Sequence, residues 1–290
     1  MGIKEEIRKS FKEGTTLTKL IYINLGLFII VGLTAAIMQL FNIDSEWTKL
    51  LMLPAGIKTL SHTPWTIISY MFFHKGFIHL LFNVLMLYWF GKIFIEFFSQ
   101  KDLVGLYIIG GITGGIFYIL AYHTFPFFAE KIVGSYLLGA SASVLAVIVA
   151  VAVTAPDYPV RLVLIGEIRL KWIAVAGVVI SLLNVASSNA GGEIAHLGGA
   201  FAGYIFAIKY KKGSNITAWI NILLDKSIDL FRKKPTLRVT HQRPVTDQEY
   251  NLKKKQENDN IDRILDKIKK GGYESLSKEE KQELFRVSQK

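Results

Sequence analysis

Ala195-His196-Leu197-Gly198-Gly199-Ala200-Phe201-Ala202-Gly203 is the stretch on which the reading of this chain turns. His196, Gly199 and Gly203 follow one another at intervals of three and four residues, so a helix carries all three on one face. Glycines on such a face let a second backbone come close, as small-xxx-small pairs do between membrane helices. The natural counterpart lies upstream, where Gly139-Ala140-Ser141-Ala142-Ser143 opens another apolar run. Close approach of the two would bring an imidazole within hydrogen-bond reach of a serine hydroxyl, the arrangement of a base-activated nucleophile. Ser141 and Ser143 are two positions apart and point about 200° away from each other on a helix. Only one of them can face His196. The same residues would also serve as packing contacts and an interhelical hydrogen bond, and their placement in the chain decides between the two.

Working outward, the surroundings are those of a membrane protein. Of 290 residues 51% are hydrophobic, and they crowd into residues 20–208, leaving a polar and charged remainder. Runs of about 20 apolar residues read as spans, and there are six, at 20–41, 77–98, 103–122, 135–154, 172–187 and 193–209. The stretch 159–171 mixes apolar residues with Arg161, Glu167, Arg169 and Lys171 and reads as an interfacial loop. The apolar run after the charged first residues lacks the short h-region and cleavage site of a signal peptide, so it is expected to stay in the mature protein. The net charge of +11 fits basic flanks facing an anionic inner leaflet better than a nucleic-acid partner. The chain has no cysteine, which excludes disulfides, thiol catalysis and cysteine-held metals. No metal or other cofactor is expected.

Orientation follows from the short loops. Lys and Arg crowd residues 4–19, 92–101, 161–171 and 209–212, whereas the intervening loops hold only Lys49, Lys58, Lys75 and Lys131. Both termini are therefore expected in the cytoplasm. Segments 2, 4 and 6 then all run inward, so His79, Asn83, Ser141 and His196 share the outer leaflet. Counting from 135, Ser141 lies about 9 Å below the outer boundary at 1.5 Å per residue. Polar groups at that depth are costly and face a bundle interior or a water cavity.

Segment 2 supplies a further function. His79 and Asn83 are four residues apart, project from one face, and offer an imidazole N–H and a carboxamide N–H of the kind acyl transfer aims at an oxyanion. A structural polar pair is the plainer alternative. His74 falls off that face and reads as structural, yet with His79, Asn83 and Ser141 it is a candidate to line a hydrophilic pocket. No carboxylate is placed to orient His196, since Glu193 sits at the membrane edge, so a dyad is expected rather than a triad. Gly110, Gly111, Gly114 and Gly115 form a double GxxxG that packs helices. Trp47 and Trp65 suit an aromatic belt.

These motifs, with Pro64-Trp-Thr-Ile-Ile-Ser-Tyr-Met-Phe-Phe-His74-Lys-Gly-Phe-Ile-His79-Leu-Leu-Phe-Asn83 before them, resemble the rhomboid intramembrane serine proteases across about residues 20–210. The resemblance implies an all-α, six-transmembrane-helix bundle that cleaves transmembrane proteins through an acyl-enzyme. It implies a Ser141–His196 catalytic pair, with the Ser141 backbone N–H, His79 and Asn83 as oxyanion hole. The first loop, 42–76, would lie partly in the outer leaflet, and segment 5 with loop 188–192 would gate substrate access. Single-pass or multi-pass transmembrane substrates and the lipid bilayer are the implied partners, and a bacterial inner membrane the implied location. The sequence departs from the family pattern at Ala142, where a glycine is common, at Thr66, where an arginine is, and at Leu145, where some members stack an aromatic on the histidine.

The domain layout expected is a cytoplasmic segment 1–19, a membrane domain 20–210 and a cytoplasmic helical tail 211–290. Residues 215–231 have amphipathic spacing, 232–258 read as a disordered linker, and Ile261, Ile264, Leu265 and Ile268 form a helical stripe closed by Gly271-Gly272. Ser277-Lys-Glu-Glu280 reads as a capping box opening a last helix. The tail is a candidate dock for a cytoplasmic partner. Two rival functions have distinct signatures. A non-catalytic rhomboid-like membrane-protein binder would usually lack the serine or the histidine, and a small transporter would carry polar groups through the full membrane depth.

Overall fold

The computed structural model describes residues 3–162, 166–231 and 246–288. In chain order the helices are α1 (Ile3–Glu13), α2 (Thr16–Leu40), α3 (Ile57–His62), α4 (Thr66–Ser69), α5 (Phe77–Phe97), α6 (Gln100–Thr124), α7 (Ser141–Thr154), α8 (Leu170–Leu183), α9 (Ala190–Lys211), α10 (Ala218–Phe231), α11 (Asp247–Gly271) and α12 (Lys278–Ser288). Two short antiparallel pairs accompany them, β1 (Leu53–Pro54) with β2 (Tyr136–Leu137) and β3 (Pro159–Leu162) with β4 (Gly166–Arg169). The second pair turns the expected interfacial loop into a hairpin, with Val160 opposite Ile168 and Arg161 opposite Glu167.

Among the described residues three helices, α2, α5 and α6, are long and apolar enough to cross a membrane, and α7 and α8 are shorter apolar helices. The expected fourth segment, 135–154, is helical only from Ser141. Residues 135–140 are instead pinned to the first loop. Ala55 donates to the Ser135 carbonyl at 3.0 Å, Leu53 pairs with Leu137, and the Gly139 N–H reaches the Tyr70 carbonyl at 2.9 Å. The depth of Ser141 therefore follows from the loop that holds it and not from six residues of helical rise.

The core is α7, whose residues from Ala142 to Ala152 are all buried. A helix apolar on every side has to be surrounded, and α5, α6, α8 and α9 surround it. Its partners approach through glycine. A Cβ at Gly199 would lie 2.0 Å from the Ala142 carbonyl oxygen, and one at Gly203 2.2 Å from that of Ala146. These paired contacts, four residues apart on both helices, set α9 parallel to α7. On α6 the order reverses, with Gly110 against the Ala146 Cβ and Gly114 against that of Ala142, so α6 runs antiparallel. Ala142 thus fills the notch that Gly114 leaves, which is why alanine is accommodated there.

The first loop is tied down by groups other than an arginine at position 66. Thr66 donates to the Thr63 carbonyl at 2.6 Å and is fully buried. The Tyr70 hydroxyl reaches the Gly111 carbonyl at 2.5 Å, and that of Tyr107 the Met71 carbonyl at 2.8 Å. Trp65 donates its indole N–H to Leu50 at 2.8 Å.

The chain forms two compact units, Met1–Arg232 and Lys233–Lys290. The break falls after α10, because one carboxylate holds that helix to the bundle. Asp102, only 3% exposed, caps α6 with Ser99 and accepts Asn215 and Thr217 at 2.7 Å and Asn221 at 3.2 Å. Gly105 gives Thr217 its space, since a Cβ there would meet the Thr217 Cβ at 2.5 Å. Ile220 is buried while Trp219 and Ile222 are exposed, the amphipathic division expected of this segment. Hydrogen bonds to a charged group contribute about 1.5–3 kcal/mol each. Asp102→Ala is therefore expected to release α10 while leaving the bundle folded. Limited proteolysis would show new cleavage around residues 212–217, and an unchanged digest would refute the latch.

In the second unit α11 begins at Asp247 with a Thr246–Glu249 capping box, so residues 247–258 of the expected linker are helical. Residues 232–245 lie outside the described residues. Ile264 and Leu276 are buried where α11 meets the following turn. Ser277 and Glu280 cap α12 reciprocally, at 2.8 and 3.3 Å.

Candidate active site

The parallel setting of α7 and α9 brings the two predicted groups together. His196 Nε2 lies 2.7 Å from Ser141 Oγ. Ser141 is the first residue of α7, two positions after Gly139, whose φ of +113° is a backbone conformation that favours glycine. A Cβ at Gly139 would also strike the His79 ring at 2.7 Å, so glycine is required there twice over. The turn delivers the Ser141 hydroxyl at the start of a helix. The first N–H groups of a helix have no intrahelical acceptor and carry the positive end of its dipole. Ala140 at the cap offers no side-chain acceptor. Ser143 points elsewhere. It is fully buried and its hydroxyl lies 3.9 Å from the Met71 sulfur.

Asn83 joins Ser141 and His196 in one cleft of about 300 Å³, which also involves Phe82 and Met86 of α5, Val144, Leu145 and Ile148 of α7, and Gly177, Ile180 and Ser181 of α8. The Asn83 amide donates one N–H to the His79 carbonyl at 2.8 Å, leaving its second for a ligand. His79 and His74 do not line this cleft. Their rings stand 5.2 Å apart behind Gly139 and Ala140, whose N–H meets His74 Nε2 at 3.3 Å. Of the four residues expected to line one polar pocket, Asn83 and Ser141 line this cleft, while His79 and His74 stand against Gly139 and Ala140. A larger cleft of about 580 Å³ is lined by Phe117, Leu120, Phe125, Phe127 and Phe128 among others, and it offers no comparable polar chemistry.

The expectation that no carboxylate reaches His196 is overturned. Glu193 Oε2 lies 3.2 Å from His196 Nδ1 and Ser181 Oγ lies 3.1 Å from the same nitrogen. Sequence reasoning set Glu193 aside as a membrane-edge residue, although positions i and i+3 of a helix share a face. α9 starts at Ala190, so Glu193 is within the helix and turned inward. Leu145, where an aromatic was a possible support, packs against Gly177 of α8, whose Cβ would lie 3.2 Å from a Leu145 methyl. The imidazole is braced from its far side instead. Among the described residues no cluster of His, Cys, Asp or Glu is arranged to hold a metal ion.

A helical bundle with long apolar helices and a Ser–His pair at the mouth of its central helix is a multi-pass integral membrane protein with a polar site. The chain belongs to the rhomboid family: the model described as Rhomboid domain matches residues 61–212. Residues 246–290 match a model described as a family of unknown function, DUF6576. No curated protein matches the chain.

Proposed function

We propose that this protein is an intramembrane serine endopeptidase acting on transmembrane proteins, with Ser141 as nucleophile and His196 as general base. The 2.7 Å separation of the two side chains in a cleft carries the reading. In this account six segments span the plasma membrane of a bacterium, with both termini cytoplasmic, and the loop lysines and arginines support that orientation. The cleft takes residues from α5 and α8, and a substrate helix would reach it between them, with α8 and loop 188–192 as the gate.

The substrate helix unwinds near its outer end and presents a peptide carbonyl to Ser141. His196 Nε2 takes the hydroxyl proton as Oγ attacks, and the charge on the carbonyl oxygen meets the Ser141 N–H and the Asn83 amide, with His79, whose ring stands against Gly139 at the start of that turn, as the third donor proposed. Collapse of the adduct breaks the C–N bond, with His196 returning the proton to the leaving amine. Water, deprotonated by the same imidazole, then hydrolyses the acyl-enzyme and restores Ser141. The non-catalytic binder makes no use of a hydroxyl and an imidazole paired at this distance.

The test is cleavage of a single-pass protein with helix-weakening residues near the outer face, reconstituted with the enzyme in liposomes. Wild type is expected to cut it, and Ser143→Ala to cut it within about twofold of wild type, since that hydroxyl makes no contact in the cleft. Loss of cleavage in Ser143→Ala with Ser141→Ala still active would overturn the nucleophile assignment. A folded wild type that binds the substrate without cutting would favour the binder.

A further inference from the structure

The proposed reaction uses Nε2 of His196, and the other ring nitrogen is also occupied. Nδ1 faces Glu193 Oε2 at 3.2 Å and Ser181 Oγ at 3.1 Å. The Glu193 and His196 side chains are only 15% and 21% exposed, and Ser181 is buried at 2%. A carboxylate in a half-enclosed apolar cleft is costly unless paired, and the partner within reach here is an imidazole. An acidic residue in the first turn of α9 also suits the positive end of the helix dipole. That role is satisfied by charge near the axis and does not require the carboxylate to reach the ring.

We propose that Glu193 is the positioning residue for His196, making a Ser141–His196–Glu193 relay of contacts in place of a bare dyad; the inference rests on the protease reading above. The chemistry follows from what each group can do. A carboxylate only accepts hydrogen bonds, so the nitrogen beside it must carry the proton. That fixes the tautomer: Nδ1–H toward Glu193, and the Nε2 lone pair toward the Ser141 hydroxyl. Ser181 cannot enforce this alone, because a hydroxyl donates or accepts with equal ease. It instead ties the same nitrogen to α8, so the ring is braced from two helices. When Nε2 takes the serine proton, the imidazolium forms beside a negative charge that is already in place, which requires no reorganisation at the moment of reaction.

The test is the kinetics of inactivation by a fluorophosphonate, with the full-length protein in mild detergent. The maximal rate constant and the half-saturating concentration are read separately for wild type, Glu193→Gln and Glu193→Asp. Glu193→Gln keeps the shape and loses the charge. Its maximal rate is expected to fall about 10- to 100-fold, the scale of a misplaced or unsupported catalytic group, with half-saturation within about twofold of wild type. Glu193→Asp, charged but shorter, is expected to recover part of the rate. Glu193→Gln reacting at the wild-type rate, or a parallel loss in both constants, would overturn the positioning role. If the Gln variant does not fold, Glu193→Asp alone decides: a loss confined to the maximal rate supports the role, and an unchanged rate refutes it. A folded wild type that never reacts would instead refute the protease reading itself.

Discussion

Valine at position 199 is expected to separate α7 from α9 and abolish the site. A Cβ at Gly199 would stand 2.0 Å from the Ala142 carbonyl oxygen, 2.7 Å from its carbonyl carbon and 3.0 Å from its Cα. All three are backbone atoms of the helix that carries Ser141, so no side chain can swing aside. Relief requires the helices to part by an ångström or more, and the Ser141–His196 hydrogen bond, at 2.7 Å, lies one turn away. Overpacking costs about 1–3 kcal/mol where side chains can adjust, and a clash with main chain belongs at the upper end or beyond. Gly199→Val should therefore lower the melting temperature by several degrees and remove probe labelling. Gly26→Val on α2, where a Cβ would meet nothing within 4 Å, is the control and should change little. A Gly199→Val protein that melts and labels like wild type would mean the helices do not pack as described.

Ser141→Ala is expected to reduce cleavage by at least about 10³-fold with the fold intact. Covalent catalysis through a hydroxyl has no substitute once the oxygen is gone, and only binding and oxyanion contacts remain to act on water. The alanine side chain adds nothing to the crowded start of α7, so the melting temperature should stay within a few degrees of wild type. Residual cleavage at a tenth of the wild-type rate would place the nucleophile elsewhere.

Much of this architecture could be read directly from the residues. The i, i+3, i+7 pattern of His196, Gly199 and Gly203 stated which face of α9 packs, and the two-residue offset of Ser141 and Ser143 stated that one would turn away. Both are local consequences of helical period. What escaped was the part governed by contacts distant in sequence. Residues 135–140 are apolar enough to read as helix, yet pairing with β1 makes a strand of Tyr136–Leu137 and the Tyr70 carbonyl holds Gly139 in a turn. Glu193 was misjudged because a boundary error of three residues at the start of α9 separates a membrane-edge carboxylate from one inside the helix. Nothing local to Asp102 indicates that it holds α10, and only its partners at Asn215, Thr217 and Asn221, more than a hundred residues away, show it.

The most direct measurement of the central claim is to treat purified wild type, Ser141→Ala and His196→Ala with a fluorophosphonate and locate any adduct by mass spectrometry. A single adduct on Ser141 in wild type, absent from both folded variants, is the predicted result, because the hydroxyl reacts only when the imidazole beside it takes its proton. Labelling that persists in His196→Ala, or an adduct on any residue other than Ser141, would contradict the account.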